Sequence, residues 1–225
     1  MSNEQISDLK RKAEQGDATA QYNLGVLYET RSGVEEDDIQ AAQWYEKAAA
    51  QGHAEAQFHL GLLYQFDKGV PHDSVTAAQW YEKAAVQGHA EAQFRLGQLY
   101  EIGFDNVQQD GTQAVKWLEQ AAAQGHAEAL GTLGHMYFDG ENGVPQDYMR
   151  AYIWYSLAAA IWTDDAQFSE VSEGRGGRQA GAVYARDESA RRMTPALVVE
   201  AQRLAQQCQA RIDGRRAETR SKTSR

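Results

Sequence analysis

Apolar side chains recur along this chain with the period of an α-helix, in two blocks that return at a fixed spacing. Around Trp44, the residues Ala41, Trp44, Tyr45, Ala48 and Ala49 stand at i, i+3, i+4, i+7 and i+8, which is one face of a helix. Leu24, Leu27 and Tyr28 mark a second amphipathic helix around Gly25. The segment A-Q-Y-N-L-G-V-L-Y from Ala20 returns as A-Q-F-H-L-G-L-L-Y from Ala56, A-Q-F-R-L-G-Q-L-Y from Ala92 and A-L-G-T-L-G-H-M-Y from Ala129. Its glycines, Gly25, Gly61, Gly97 and Gly134, are 36, 36 and 37 residues apart. Trp44, Trp80, Trp117 and Trp154 of the other block keep that register, at 36, 37 and 37. The pattern predicts four tandem two-helix units.

Between the blocks stand residues that stop and start helices. An aspartate lies seven positions before each repeat tryptophan, at Asp37, Asp73, Asp110 and Asp147. There a carboxylate can accept from exposed amides and complement the dipole of a helix N-terminus. Residues 69–73 (G-V-P-H-D) and 143–147 (G-V-P-Q-D) read as turns from first to second helix, and Gly16, Gly52, Gly88 and Gly125 as left-handed caps that end the second. One helix pair cannot bury its apolar face alone, so the pairs are expected to stack as an α/α solenoid closed by terminal helices. The predicted organisation is an N-terminal capping helix over 1–16 and repeats over 17–52, 53–88, 89–125 and 126–162. An inserted mobile loop over 163–183, C-terminal capping helices over 184–212 and a disordered basic tail over 213–225 complete it. Thr194 and Pro195 open the last helix, whose stripe of Leu197, Ala201, Leu204, Ala205, Cys208 and Ile212 is expected to dock on the fourth repeat.

Composition narrows the class of partner. Helix formers dominate and only three prolines occur in 225 residues, so the fold class is all-α. The formal charge of −10, from 32 acidic and 22 basic residues, counts against DNA, because a polyanion needs a basic face. Arg211, Arg215, Arg216, Arg220, Lys222 and Arg225 against Asp213 and Glu218 make the last fifteen residues +4, leaving −14 for the rest. A single cysteine, Cys208, allows no internal disulfide. No apolar run is long enough for a signal peptide or a membrane span. Cytoplasm is the expected compartment and a monomer the expected state.

The succession A-E-A-Q-x-x-L-G-x-L-Y, then G-V-P-x-D, then A-x-x-W-Y-x-x-A-A-x-Q-G resembles the Sel-1-like repeat, a relative of the tetratricopeptide repeat, over roughly residues 17–162. R-M-T-P at 192–195 followed by E-A-Q-R-L-A at 200–205 is similar to the closing helix of bacterial members. The resemblance implies a right-handed superhelix with capping helices that acts as an adaptor or scaffold, its first helices lining a concave groove. Some secreted members staple each repeat with a cysteine pair, and a few of those are linked to penicillin binding; this chain lacks those cysteines. Two places depart from the pattern: residues 102–109 (I-G-F-D-N-V-Q-Q) in repeat three, and Leu130 in place of the glutamine in repeat four.

Positions shared by all copies are scaffold, so function is expected where the copies differ along one exposed stripe. Relative to the repeat glycine, positions −2, +1 and +4 hold Asn23, Val26, Glu29; His59, Leu62, Gln65; Arg95, Gln98, Glu101; and Thr132, His135, Phe138. Steps of three keep them on one side of each first helix. Asn23, Val26, His59, Leu62, Arg95, Gln98, Thr132 and His135 are the candidate contacts for a partner peptide or helix. The tryptophans and tyrosines belong to the core, and His53, His89 and His126 to the first turns of helices, since they lack the i, i+4 spacing of a metal site. The 163–183 segment contains G-R-G-G-R but matches no phosphate-binding pattern. With no nucleophile elbow, H-E-x-x-H or cysteine–histidine pairing, no catalytic residue, cofactor or metal is assigned. The expected function is a non-catalytic protein-interaction scaffold. Two alternatives stay open: a hydrolase or binder of cell-wall or β-lactam-type ligands, and a small-ligand or RNA sensor using the 163–183 segment.

Overall fold

The computed structural model describes residues 2–30, 37–166 and 173–223, and every regular element among them is an α-helix. They form two compact units, residues 1–108 and 109–225. In the first, α1 (Asn3–Glu14), α2 (Ala18–Thr30), α3 (Asp38–Ala50), α4 (Ala54–Gln65), α5 (Ser74–Ala85) and α6 (Ala90–Ile102) each pack on the next in chain order. The second holds α7 (Gly111–Ala122), α8 (Ala127–Asp139), α9 (Tyr148–Ala166), α10 (Glu173–Arg191) and α11 (Pro195–Thr223). There α7 packs on α8, α8 on α9, and both α10 and α11 on α9. The all-α, two-helix-repeat architecture follows the periodicity, and the units divide in the irregular stretch of the third repeat.

Side-chain acceptors set the helix starts. Asp37, Asp110 and Asp147 accept from the amides of Gln40, Gln113 and Arg150 at 3.0 Å, and Asp73 from Thr76 at 3.1 Å. Each satisfies an amide that the helix cannot pair internally. Ser2 and Gln5 close α1 with a reciprocal capping box. At the ends of the second helices, Gly16, Gly52, Gly88 and Gly125 have φ of 94°, 88°, 92° and 82°. At Gly52 the crossed bonds from Gly52 N–H to Ala49 O and from His53 N–H to Ala48 O, 3.0 and 3.2 Å, satisfy the last carbonyls.

In the first, second and fourth repeats, the two helices meet where a tyrosine lies under a glycine. Tyr45 and Tyr81 are fully buried, and a Cβ on Gly25 or Gly61 would come within 2.6 Å of the facing ring. Tyr155 lies under Gly134 in the same way, at 2.7 Å. The Tyr45 hydroxyl donates to Glu29 Oε2 at 2.5 Å and that of Tyr81 to Gln65 Oε1 at 2.6 Å, and burial holds both phenols well above their ordinary pKa. Repeat four has Phe138 at that acceptor position, and burial pushes Tyr155 up to about 12.

A second polar device joins successive repeats. The side-chain amides of Gln21, Gln57 and Gln93 donate to the carbonyls of Ala13, Ala49 and Ala85 at 3.0, 3.1 and 2.9 Å. Gln51 and Gln87 donate in turn to the oxygens of Gln21 and Gln57 at 2.7 Å. Buried amides need such partners, and here they fix the register of each first helix against the preceding second helix. Leu130 breaks the series without orphaning its carbonyl, because Ala122 O accepts from Gly125 N–H at 2.8 Å. Among the tryptophans, Trp117 is buried, whereas Trp44 and Trp80 are half-buried beneath Lys47 and Lys83, whose Nζ atoms lie 3.7 and 3.5 Å from the ring centres. Such cation–π contacts contribute about 0.5–1 kcal/mol each.

The C-terminal third corrects the sequence expectation. Helix occupies 163–166 and 173–183, where an inserted loop was expected; residues 167–172 lie outside the described residues. Gly174, Gly176, Gly177 and Gly181 each cost a helix about 1 kcal/mol relative to alanine. Packing along α9, which buries Ala182 and Ser189, offsets that cost. The expected disordered tail is also helical from 213 to 223, as the last turns of α11. Two of its arginines tie it to α7: Arg215 Nη1 donates to Ala123 O at 3.3 Å and Arg216 Nη2 to Gly125 O at 2.9 Å. Both cations sit at the C-terminal end of α7, where the helix dipole favours positive charge. The predicted stripe docks through Ala201, Ala205 and Ile212, all buried, while Leu197 is 42 % exposed in the first turn. Cys208 is half-buried and lines a cleft of about 170 Å³ with Trp154, Leu157, Glu119, Arg211 and Arg215.

Candidate functional site

In the first unit, α2, α4 and α6 carry the variable positions, and side chains link them laterally. His59 Nδ1 of α4 lies 3.1 Å from Glu29 Oε2 of α2, and His89 Nε2, at the start of α6, lies 3.1 Å from Glu55 Oε2 of α4. The His59 bond, the largest influence on Glu29, together with the Tyr45 hydroxyl holds that carboxyl below its ordinary pKa against the opposing effect of burial. Of the predicted contacts, Asn23 is exposed, while Val26, His59, Leu62, Arg95 and Gln98 are half-buried. His59 is enclosed by the rings of Tyr22, Tyr45 and Phe58, at 5.6, 5.0 and 5.7 Å between centroids, so it acts as a strut between helices. Arg95 Nε is held by Glu91 at 2.9 Å, one turn back on the same helix. Val26 packs against the core around Tyr45.

The second unit presents its own short stretch of the row on α8, with Thr132 half-buried and the His135 side chain 67 % exposed. His135 Nδ1 lies 2.9 Å from Asp139 Oδ2. Phe138 is flanked by Tyr148 at 5.6 Å and by the Arg192 guanidinium at 4.7 Å.

Two exposed residues that the stripe did not include lie beside it. Phe66 and Ile102, both five positions after the repeat glycine, are 54 % and 62 % exposed at the ends of α4 and α6. The available signal was helical: Glu55, His59, Leu62 and Phe66, like Glu91, Arg95, Gln98 and Ile102, fall at i, i+4, i+7 and i+11.

The repeat histidines are helix caps. Nδ1 of His53, His89 and His126 accepts from the amides of Ala56, Ala92 and Ala129 at 3.3, 3.0 and 3.3 Å. In the first repeat Asp17 holds that place, accepting from Ala20 at 2.8 Å. His53 also stacks on Tyr22 at 4.8 Å and His89 on Phe58 at 4.6 Å, so one ring both starts a helix and touches the preceding repeat. For His89, a ring protonated at Nε2 satisfies both bonds, donating to Glu55 while Nδ1 accepts.

One cluster contains the residue types of a hydrolytic triad. His72 Nε2 lies 2.5 Å from Asp105 Oδ2 and 3.3 Å from Ser74 Oγ, and Ser74 Oγ donates to the same Asp105 oxygen at 2.8 Å. A triad places serine and carboxylate on opposite ring nitrogens. Here both meet at Nε2, so serine and histidine converge on the carboxylate. The arrangement latches the loop after α6 to the start of α5. The Asp105 carboxylate raises the His72 pKa, and His72 and then Ser74 lower that of Asp105. The histidine contribution is complete below 6.5 and is lost as pH rises through its raised folded value; the aspartate contribution is complete above 3.8 and is lost as pH falls through its lowered one. The latch is therefore strongest between those two values. An NMR titration should show the His72 midpoint falling in Asp105→Asn; an unmoved midpoint contradicts the latch.

Among the described residues, no group of three or more His, Cys, Asp or Glu side chains is placed to hold a metal ion, and no helix is long and apolar enough to cross a membrane.

The repeat geometry has close counterparts. A Sel1 repeat protein from Oxalobacter formigenes shares 34 % identity over 85 % of this chain and 76 % of its own, with a TM-score of 0.61. A protective antigen of uropathogenic Escherichia coli strains, described as displaying an SLR fold, shares 28 % identity over 85 % of this chain, with a TM-score of 0.66. This chain spans 42 % of that protein's length. No curated protein matches the chain. The Sel1 repeat model matches at residues 18–53, 54–89, 90–126 and 127–160. With four successive matches, each covering one first helix and the second helix that follows, the chain belongs to the Sel1 repeat family.

Proposed function

We propose that this chain is a non-catalytic, cytoplasmic scaffold that holds a partner peptide or helix in the groove lined by its first helices. The observation that carries the reading is the division of labour within each repeat. Recurring residues such as Tyr45, Tyr81, Gln57 and Gly61 are buried in joining helices. Along the remaining face of α2, α4 and α6, residue identity changes from copy to copy. Stacked repeats present such faces side by side as extended binding surfaces. The Ser74–His72–Asp105 wiring offers no support for the hydrolase alternative. A photo-crosslinking residue at Leu62 or Gln98 is expected to form an adduct with one predominant protein in the producing cell; the same residue on a second helix is expected to form none.

A further inference from the structure

The helices α2, α4 and α6 carry four carboxylates, Glu29, Glu55, Glu91 and Glu101, against one arginine or lysine, Arg95, which is itself bonded to Glu91. Side-chain exposure is 53 % for Glu55 and 36 % for Glu91, so both present charge to solvent. The surrounding unit has the same sign: residues 1–108 hold 17 acidic and 8 basic residues, a net −9 of the chain's −10. Along the same face, about three helical turns beyond Glu55 and Glu91, Phe66 and Ile102 stand more than half exposed, each one turn beyond the half-buried Leu62 or Gln98. A face that carries exposed apolar groups and an excess of carboxylates over arginine and lysine is complementary to a surface that is both apolar and basic.

We infer that the first-helix face of residues 1–108 takes a basic, amphipathic segment of a partner protein, an inference that rests on the scaffold reading above. Apolar side chains of that segment cover Phe66, Ile102 and Leu62, while its lysines or arginines approach Glu55, Glu91 and Glu29. Hydrogen bonds with His59 and from the Tyr45 hydroxyl hold the Glu29 carboxyl below its ordinary pKa, in the ionised form. Nucleic acid and anionic membrane surfaces are disfavoured here by the same charge that draws in a cationic peptide. A cationic partner approaching this face is steered by long-range attraction and retained by short-range apolar contact, so its binding weakens with salt.

The test uses the full chain and two fluorescein-labelled amphipathic helical peptides, one of leucine with lysine and one of leucine with glutamate, followed by anisotropy. A length of about 15 residues spans roughly 22 Å as a helix. The lysine peptide is expected to bind, and to weaken as salt is raised. Glu55→Gln with Glu91→Gln should reduce its affinity about tenfold, as should Phe66→Ser with Ile102→Ser. Glu46→Gln with Glu82→Gln, which removes equal charge from exposed positions on α3 and α5, should leave it unchanged. Absence of lysine-peptide binding, or equal loss in the α3 and α5 variant, overturns the inference. Should the glutamate peptide bind instead, and do so through Phe66 and Ile102, the face still holds partners and only the basic chemistry assigned here falls.

Discussion

Replacing Tyr81 by alanine should lower stability by about 3–5 kcal/mol, the range for deleting a buried aromatic side chain. The ring is fully buried between α4 and α5, and its hydroxyl is bonded to Gln65. Gly61→Ala probes the same contact from the other side, since the new Cβ would lie 2.6 Å from the ring. Overpacking of that kind costs about 1–3 kcal/mol, of which the better helix propensity of alanine returns about 1 kcal/mol. The decisive quantity is the coupling. On the Tyr81→Ala background the methyl group at 61 enters vacated space, so the double variant should be more stable than the sum of the singles requires, by about 0.5–3 kcal/mol. Urea denaturation followed by circular dichroism measures all three. Simple additivity would show that the glycine answers to something other than the tyrosine.

The second large effect lies at the other end of the chain. A stop after Met193 removes α11 and with it the buried contacts of Ala201, Ala205 and Ile212 on the second unit. It also uncovers the cleft walls Trp154 and Leu157 and takes away the arginines that pair with Ala123 O and Gly125 O. Burial of an isoleucine side chain alone stabilises by about 1.5–3 kcal/mol, so the whole helix contributes on the order of 5 kcal/mol. Thermal denaturation should show a markedly lower midpoint and exposed apolar surface that binds a hydrophobic dye. Arg216→Ala alone should cost about 0.3–1 kcal/mol, the range for a cation at a helix terminus. A truncated chain as stable as the parent would mean that α11 is a passive extension.

Where local chemistry and tertiary packing agree, the sequence already reveals the structure. The aspartate caps, the left-handed glycines and the docking of Ala201, Ala205 and Ile212 are of this kind, because a carboxylate before a helix or a glycine after it has few other uses. Histidine is a less familiar cap, so the repeated Q-G-H suggested first-turn residues, and the acceptor role of Nδ1 emerged only with the backbone amide in front of it. The segment rich in glycine at 174–181 reads as a loop because propensity argues against helix there; packing on α9 outweighs propensity, and no pattern within the segment announces that neighbour. The basic tail reads as disordered for a similar reason: its partner carbonyls lie about ninety residues away, at Ala123 and Gly125.

The proposed row of contacts and the exposed side chains of the first helices coincide only in part. A three-residue step follows one side of each first helix, yet it takes in Glu29 and Gln65, whose side chains turn to the tyrosine hydroxyls, and passes over Phe66 and Ile102. A step of three drifts around a helix of 3.6 residues per turn, whereas the alternation of four and three that joins Glu55 to Phe66 stays on one face. His59 illustrates the other difficulty. Its identity differs in every copy, as a contact residue's would, but its geometry is that of a strut.

The most direct test of the scaffold account is site-specific photo-crosslinking in the producing cell, comparing a crosslinker at Leu62 of α4 with one at Glu82 on the exposed side of α5. The account predicts a discrete adduct from position 62, containing one predominant partner protein and reduced in yield by Phe66→Ser with Ile102→Ser. Adducts of equal yield and composition from both positions, or none from position 62 while other positions capture a partner, would contradict it.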